Sequence, residues 1–216
     1  MVVTVNDRAA TRQAIIHTLR GKGAQFLERS QWHARSTEDS KQKNDWNFTK
    51  IAIHHAGRAY RCGSGLQQMF QVQNMHRYEK KFDDIGYHYA IDCMGDIYEG
   101  RDIRFKGEHL EHNNTGAIGI VLLENLAEPE DANDSTAKVL GALKAIGLLK
   151  RPTLPDIQVH SLKTLIKTLS GFFHISILGG HSEYAKHANT TDRSCPGTHG
   201  LKLTHELRIW SNLTRP

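Results

Sequence analysis

Short β-rich runs alternate along this chain with longer segments whose apolar residues have helical spacing. Five runs of β-branched and aromatic residues predict strands: KIAIHHA (50–56), IGYHYAID (85–92), GDIYEGR (95–101), TGAIGIVLLEN (115–125) and HISILGG (174–180). Residues 93–96 have turn-forming character, so the second and third strands are expected to follow each other through a tight turn.

Apolar residues three and four positions apart predict helices between and after these strands. The predicted helices are ATRQAIIHTLRGKG (10–23), GLQQMFQVQNMHRYEKK (65–81), DSTAKVLGALKAIGLLKRP (134–152), the segment around LKTLIKTL (162–169) and residues 199–212. Pro152 and Gly171 lie where two of these helices would end. Residues 26–47 are polar and lack a clear period, so we expect irregular structure there.

The interleaving of strands and helices favours an α/β fold, in which a central mixed β-sheet is flanked by helices. No change of composition after residue 30 suggests a domain boundary. We therefore expect an N-terminal arm at 1–25 and one domain at 26–216, within which residues 127–155 form a helical insertion.

Composition and charge narrow the class of protein. The 216 residues are 38% hydrophobic and 24% charged, which is typical of a globular protein, and no apolar run is long enough for membrane insertion. The first residues lack a secretory signal, so we expect synthesis in the cytoplasm. The net charge of +5 suits an anionic partner, but the basic residues are scattered, which argues against nucleic acid.

Histidine and cysteine residues near predicted strand ends suggest a metal site. A catalytic zinc ion takes imidazole nitrogen and thiolate sulfur from three protein ligands and keeps one position open. Cys195 lies in the turn sequence SCPG, and His181 follows a strand and two glycines. His54 and His55 end another strand, and only one of them can face a shared site because successive strand residues point to opposite faces. Isolated histidines and cysteines are more often structural, and neither HExxH nor paired CxxC occurs, so spacing alone leaves zinc undecided.

Six segments occur in a characteristic order: RSQWHA (29–34), IAIHHAG (51–57), VQNMHRYEKKFDDIGYHYAIDCMGDIYEGR (72–101), NTGAIGIVLLEN (114–125), GGHSEY (179–184) and SCPG (194–197). In this order they resemble the zinc-dependent N-acetylmuramoyl-L-alanine amidase family, which includes peptidoglycan recognition proteins and phage lysozyme-type amidases. The resemblance covers residues 25–126 and 156–200 and implies the fold of those proteins.

The resemblance also implies roles for five residues. His54 is the first histidine of IHH, His181 belongs to GGHSE, and Cys195 precedes Pro-Gly, which are the positions of the zinc ligands in that family. Tyr87 matches the catalytic tyrosine of DIGY, and Arg193 stands where a lysine is common.

His187 is an alternative to His181 as the second histidine ligand. His181 precedes Cys195 by 14 positions and His187 precedes it by 8, and close relatives have a spacing nearer to the shorter one. We prefer His181 because GGHSE matches the family motif and follows a strand, and we therefore expect 182–193 to be a lengthened loop.

The sequence departs from the family pattern at three points. Some members use a glutamate after IGI as a catalytic base, but this chain has Val121 there; Glu124 has a different strand phase and is not assigned that role. The base would then be Tyr87 with help from Arg193, or another group that the motifs do not identify. The insertion at 127–155 is the second departure. Third, Cys62 has no neighbouring cysteine in the sequence, so we expect the disulfide of animal recognition proteins to be absent, which favours a bacterial or phage-type member.

The implied activity is hydrolysis of the amide between the lactyl group of N-acetylmuramic acid and L-alanine, with Zn2+ as cofactor and peptidoglycan or a muropeptide as substrate. Tyr87 and Arg193 would stabilise the oxyanion. The loop residues His109, His112, Asn113 and Asn114 are expected to be solvated rather than to line the cleft.

Two other functions compete with this hypothesis. A non-catalytic muropeptide-binding domain is favoured by Val121, whereas Cys195 argues for an enzyme. A cysteine peptidase would use Cys195 as its nucleophile. The catalytic cysteine of such enzymes normally begins a helix, whereas a cysteine followed by Pro-Gly is better suited to a ligand turn.

We expect a monomer with an antibacterial role in the periplasm or cell wall, reached by phage lysis or a secretion machine; an injected effector would need an immunity protein. A cytoplasmic recycling enzyme is the third setting.

Overall fold

The computed structural model describes residues 7–37, 41–57, 62–128, 154–187 and 194–216, which build one six-stranded mixed sheet with helices on both faces. Neighbouring strands pair in parallel except β3 and β4, which form an antiparallel pair. In the spatial order β1-β4-β3-β5-β2-β6, the strands are β1 (Phe26–Leu27), β2 (Lys50–His55), β3 (Tyr89–Ile91), β4 (Ile97–Glu99), β5 (Ala117–Leu122) and β6 (Ile177–Gly180).

The helices are α1 (Asp7–Gly21), α2 (Gly65–Asn74), α3 (Asp156–Phe172), α4 (His181–His187) and α5 (Gly197–Ser211). The Ser64 side chain caps α2 by accepting a hydrogen bond from the backbone N–H of Gln67. A π-helical turn, Met75–Glu79, continues α2, and a short 3-10 helix spans Arg29–Trp32.

The two faces of the sheet differ in side-chain size. One face presents large aliphatic residues such as Ile53 and Ile120, which pack against apolar residues of α1 and α3 in the main core. The opposite face is lined near β2, β5 and β6 by small residues, among them Ala52, Gly119 and Gly179. Small residues leave room above the sheet, and the candidate site lies on this second face.

The α/β class and the mixed central sheet are confirmed by the structure. All five predicted strands occur, and the predicted helices at 10–23, 65–81, around 162–169 and at 199–212 correspond to α1, α2, α3 and α5. The helix predicted at 134–152 lies outside the described residues, as does most of the proposed insertion at 127–155. The two-residue strand β1 was missed because so short a strand has no detectable period.

The lengthened loop predicted at 182–193 is partly wrong, because residues 181–187 form helix α4. The Glu183 carboxylate in the first turn accepts a hydrogen bond from the Gly180 backbone N–H, and Tyr184 packs on the sheet with its hydroxyl bonded to the Ile51 carbonyl. These tertiary contacts stabilise a helix that the polar sequence did not indicate.

Helix α1 contributes Ile15, Ile16 and Leu19 to the main core, although it lies in the segment predicted to be an arm. It packs against α3, and Arg12 pairs with the buried carboxylate of Glu99 on β4. The division of the chain at residue 25 remains a prediction.

The expectation that no disulfide follows β2 is wrong. Cys62 is bonded to Cys93, with a Cα–Cα distance of 5.5 Å. The two residues are 31 positions apart in the sequence, so their proximity depends on the fold: Cys62 precedes α2, and Cys93 lies in the turn between β3 and β4. The argument for a bacterial or phage-type member therefore loses its premise.

Among the described residues, none of the helices has both the length and the apolar character that crossing a membrane requires.

We predict that Leu19→Ala lowers the free energy of unfolding by about 2–5 kcal/mol, because it opens a cavity where α1 meets the core. Chemical denaturation measures this, with Gln13→Ala on the exposed side of the same helix as the control. Equal stability of the two variants would mean that α1 is not part of the cooperative unit.

We predict that the unfolded, unreduced and metal-free protein has one reactive thiol, Cys195, and three after reduction. The double variant Cys62→Ala/Cys93→Ala should lose about 3 kcal/mol of stability, because the bond closes a long loop in the unfolded chain. Reductant should no longer change the stability of that variant. Three reactive thiols before reduction would contradict the disulfide.

Candidate functional site

The parallel pairing of β2 with β6 brings two histidines to the same edge of the sheet. Ile53 is level with Gly180 in this pair, and the next residue on each segment is His54 and His181. Their ring centroids are 4.8 Å apart. His55 points to the other side, where its Nδ1 accepts a hydrogen bond from the Leu126 backbone N–H, so His54 is the member of the pair that faces the site.

Cys195 is held beside this edge by the chain that leads into α5. Its carbonyl accepts a hydrogen bond from the Ser182 backbone N–H at 2.9 Å, which joins the SCPG turn to the start of α4. Gly180 allows the turn to approach β6, since a Cβ there would lie 2.8 Å from Pro196. The Cys195 Sγ consequently lies 3.6 Å from the His54 Nδ1.

His54, His181 and Cys195 offer ligand atoms that all lie within 4.8 Å of one another. Zinc–nitrogen bonds of about 2.0 Å and zinc–sulfur bonds of about 2.3 Å imply a nitrogen–sulfur separation of about 3.5 Å in a tetrahedral site. The Nδ1–Sγ distance agrees with this value. Two imidazoles and one thiol are also a donor set that zinc prefers, so these residues fit a zinc ion.

A cavity of about 430 Å³ lies beside the three side chains, and His181 is the one of them that lines it. It is lined by His76, Lys80, Phe82, Tyr87, Glu108, His109, Leu110, Glu111, Asn114 and His181. The Tyr87 ring packs between two of the site's imidazoles, with centroid distances of 4.8 Å to His54 and 5.1 Å to His76. The predicted catalytic tyrosine therefore lies directly beside the candidate ligands.

Burial shapes the acid–base properties of the site. Desolvation, followed by the neighbouring His181 ring, holds the pKa of His54 well below its usual value. Desolvation, followed by His88, likewise lowers the pKa of His109. For Tyr87, desolvation and the nearby Cys195 raise the pKa. Neutral imidazoles are the form that binds metal, so this environment favours ligation.

The position of the family's glutamate base is apolar here. Val121 on β5 is level with His54 on β2 and is fully buried in an apolar cluster with Met69 and Ala90. Glu124 lies beyond the end of β5, where burial and then Asp92 raise its pKa, and it is not among the residues that line the cavity beside His181.

Two sequence predictions near the site fall outside the described part of the chain. Arg193 lies outside the described residues, and so does the side chain of His187, although the backbone of His187 ends α4. The structure brings His181 and Cys195 together with His54. That these three residues bind a metal ion remains a prediction.

The expectation that 109–114 is a solvated loop is wrong for His109 and Asn114, which line the cavity. The Asn114 side chain accepts hydrogen bonds from the backbone N–H groups of His109 and Leu110, which folds the loop inward. His112 is exposed, as expected. His76 was also missed; its place at the end of the QNMH helix was the available signal.

Comparison with known proteins gives a family match over residues 49–198, described as N-acetylmuramoyl-L-alanine amidase. Peptidoglycan-recognition protein SC2 of Drosophila melanogaster is 28% identical over 193 residues, covering 88% of each chain. Peptidoglycan-recognition protein SD of the same species is 34% identical over 107 residues, covering 48% of this chain and 56% of that protein.

Solved structures show the same fold. Drosophila PGRP-LB superposes with a TM-score of 0.64 at 24% identity, over 88% of this chain and 96% of that one. The N-acetylmuramoyl-L-alanine amidase LysC from Clostridium intestinale superposes with a TM-score of 0.61 at 20% identity, over 88% of this chain and 99% of that one.

We predict that Glu183→Gln weakens the support beneath His181. Burial alone would raise the pKa of Glu183, but hydrogen bonds from Arg208 and the Gly180 N–H outweigh it and lower the pKa. A lowered pKa means that the carboxylate stabilises the fold above its ordinary pKa and loses this effect as pH falls through the folded value.

The variant should therefore be less stable than the wild type at pH 7, by about 2 kcal/mol, and the difference should shrink towards pH 3. Denaturation at several pH values measures it, with the exposed Glu206→Gln on α5 as the control. A pH-independent difference would contradict the charge-based explanation.

Proposed function

We propose that this chain, which belongs to the N-acetylmuramoyl-L-alanine amidase family, is a zinc-dependent amidase. The bond cleaved is the amide between the lactyl group of N-acetylmuramic acid and L-alanine of the stem peptide. The observation that supports this most strongly is the meeting of His54, His181 and Cys195 beside a cavity that His181 lines, since a binding domain has no need of a complete zinc-type donor set.

Amide hydrolysis requires activated water and stabilisation of the oxyanion. A zinc ion held by His54, His181 and Cys195 would act as a Lewis acid and would lower the pKa of a water molecule bound to it. The Tyr87 hydroxyl is proposed to donate a hydrogen bond to the developing oxyanion from its position beside His54. Arg193 is proposed as a second donor by its sequence position two residues before Cys195.

His76 supplies a further donor to the cavity. Its Nδ1 accepts a hydrogen bond from the Gly86 backbone N–H at 2.9 Å. In a neutral imidazole the other nitrogen, Nε2, then carries the proton, and we propose that this N–H donates to a substrate carbonyl. The buried ring is fixed by this bond, and it would orient the stem peptide rather than take part in bond cleavage.

Muropeptides are the substrate class that we propose. PGRP-LE and the PGRP-LCa/LCx pair, which share this fold, are described in complex with tracheal cytotoxin, and human PGRP-IBETAC in complex with a glycosamyl muramyl pentapeptide. The cavity that His181 lines has the polar and aromatic lining that a sugar–peptide substrate requires, since Phe82, Tyr87, Lys80 and Glu108 also line it.

The place of action is proposed from the disulfide. A bond between Cys62 and Cys93 persists in oxidising compartments such as the periplasm and is rare in the cytosol. This supports a lysin or an injected antibacterial effector over a cytoplasmic recycling enzyme. An effector of this kind would require an immunity protein that covers the cleft, and we propose that the enzyme acts as a monomer.

A non-catalytic binding domain is the second candidate function, and Val121 is the observation that favours it. At the position on β5 where some members have a carboxylate base, this chain has the apolar side chain of Val121, level with His54. The zinc-type donor set argues for the enzyme.

We predict that purified sacculi incubated with the zinc-loaded protein release free stem peptides. Cys195→Ala should lose zinc and activity together, because it removes one ligand. Tyr87→Phe should retain zinc and lower kcat by about 10²–10³-fold, because it removes one oxyanion donor. Product analysis by mass spectrometry and metal content by elemental analysis are measured on the same samples.

His112→Asn is the matched control, since it removes an exposed histidine and asparagine tolerates the positive φ of 61° at that position. It should leave zinc content and activity unchanged. Zinc retained with no cleavage by the wild type would favour the binding domain, and a wild type that holds no zinc would contradict the proposal.

A further inference from the structure

We infer that His109 is a positioning residue, which fixes the proton of His54 on Nε2 and so leaves Nδ1 as the metal-binding atom. This inference rests on the proposed zinc site and assigns a role to a residue outside the ligand set. His109 lies on the loop between β4 and β5, 55 positions from His54 in the sequence, and its ring is buried against the sheet.

The hydrogen bonds of His109 determine which nitrogen donates. Its Nε2 lies 3.3 Å from the Ala117 carbonyl oxygen, which can only accept, so this nitrogen must be the donor. In a neutral imidazole the other nitrogen is then an acceptor. The His109 Nδ1 is 3.1 Å from the His54 Nε2 and accepts a hydrogen bond from its N–H.

The opposite arrangement is unfavourable at the Ala117 end of the chain of bonds. If the His109 Nδ1 donated to His54, the His109 Nε2 would present a lone pair to the lone pairs of the Ala117 carbonyl. A buried acceptor facing another acceptor loses its hydrogen bond without water to replace it. The chain of bonds from Ala117 through His109 to His54 therefore has one favourable direction.

That direction assigns the two nitrogens of His54. Since Nε2–H is used in the bond to His109, the lone pair of the neutral ring is on Nδ1. Nδ1 is the nitrogen that lies 3.6 Å from the Cys195 Sγ, on the side of the proposed metal ligands. A ligand histidine whose second nitrogen is held in this way is oriented and kept in the binding tautomer before the metal arrives.

The fold leaves a specific slot for the His109 ring. A Cβ at Gly119 on β5 would lie 2.6 Å from the His109 Cδ2, and a Cβ at Gly107 would lie 2.5 Å from the same atom. Any larger residue at either position would displace the ring. The Asn114 side chain also accepts a hydrogen bond from the His109 backbone N–H. The glycines therefore make room for the ring, and Asn114 holds the backbone that carries it.

Two substitutions of His109 test the role of its acceptor. His109→Phe keeps a flat ring but removes both hydrogen bonds, whereas the His109→Gln amide can accept from His54 and donate to Ala117. We expect Zn2+ affinity, measured by competition with a chromophoric chelator, to fall by about 10–100-fold in the phenylalanine variant. The glutamine variant should recover most of this loss.

A spectroscopic measurement on the metal-free protein is independent of activity. Ring 15N chemical shifts report which nitrogen of each histidine bears the proton. We expect His54 to be a single Nε2–H tautomer in the wild type and in His109→Gln, and a mixture of tautomers in His109→Phe. Gly119→Ala should have the same effect as His109→Phe because it displaces the ring, whereas Gly171→Ala, with no neighbour within 4 Å, is the control and should change nothing.

The outcomes separate this inference from the proposed function. A wild type that retains no Zn2+ would contradict the proposed function whatever the tautomer of His54. If the wild type binds Zn2+ but His109→Phe, folded as judged by circular dichroism, keeps both the wild-type tautomer and the wild-type affinity, the role of His109 is wrong. A His54 Nδ1–H tautomer in the metal-free wild type would also overturn it.

Discussion

The parallel pairing of β2 with β6 is the constraint on which the site depends. Side chains that are level on neighbouring strands point to the same face, and the register that joins Ile53 to Gly180 places His54 level with His181 at the next position. A shift of this register by one residue would turn one histidine to the opposite face. The hydrogen bond from the Ser182 backbone N–H to the Cys195 carbonyl holds the SCPG turn next to the end of β6. This contact places Cys195 beside the two histidines and completes the set of three candidate ligands.

The face that bears the site is built for close approach and exclusion of water. Small residues on β2, β5 and β6 allow Tyr184 and His109 to pack directly against the sheet, and Tyr87 covers the remaining side of His54. Burial of uncharged imidazoles in this way avoids the cost of burying their charged forms and leaves nitrogen lone pairs for a metal. The opposite, aliphatic face supplies the core that keeps the strands in register.

The sequence predicted those parts of the molecule that depend on local pattern. β-rich runs located the strands, and motifs that contain His54, His181 and Cys195 identified residues that the fold does bring together. The missed features depend on contacts between distant segments. The Cys62–Cys93 bond spans 31 positions, and the inward turn of His109 requires the glycine on β5. Helix α4 likewise depends on contacts of Glu183 and Tyr184 that the local sequence does not show.

Hydrolysis of one defined bond is the central claim, and a purified disaccharide–peptide in 18O-labelled water tests it most directly. The account predicts that the zinc-loaded protein splits this substrate into a free peptide beginning with L-alanine and a disaccharide whose lactyl carboxylate contains one 18O atom. Intact substrate after prolonged incubation with protein shown to hold zinc would contradict the account. So would cleavage at any other bond of the muropeptide.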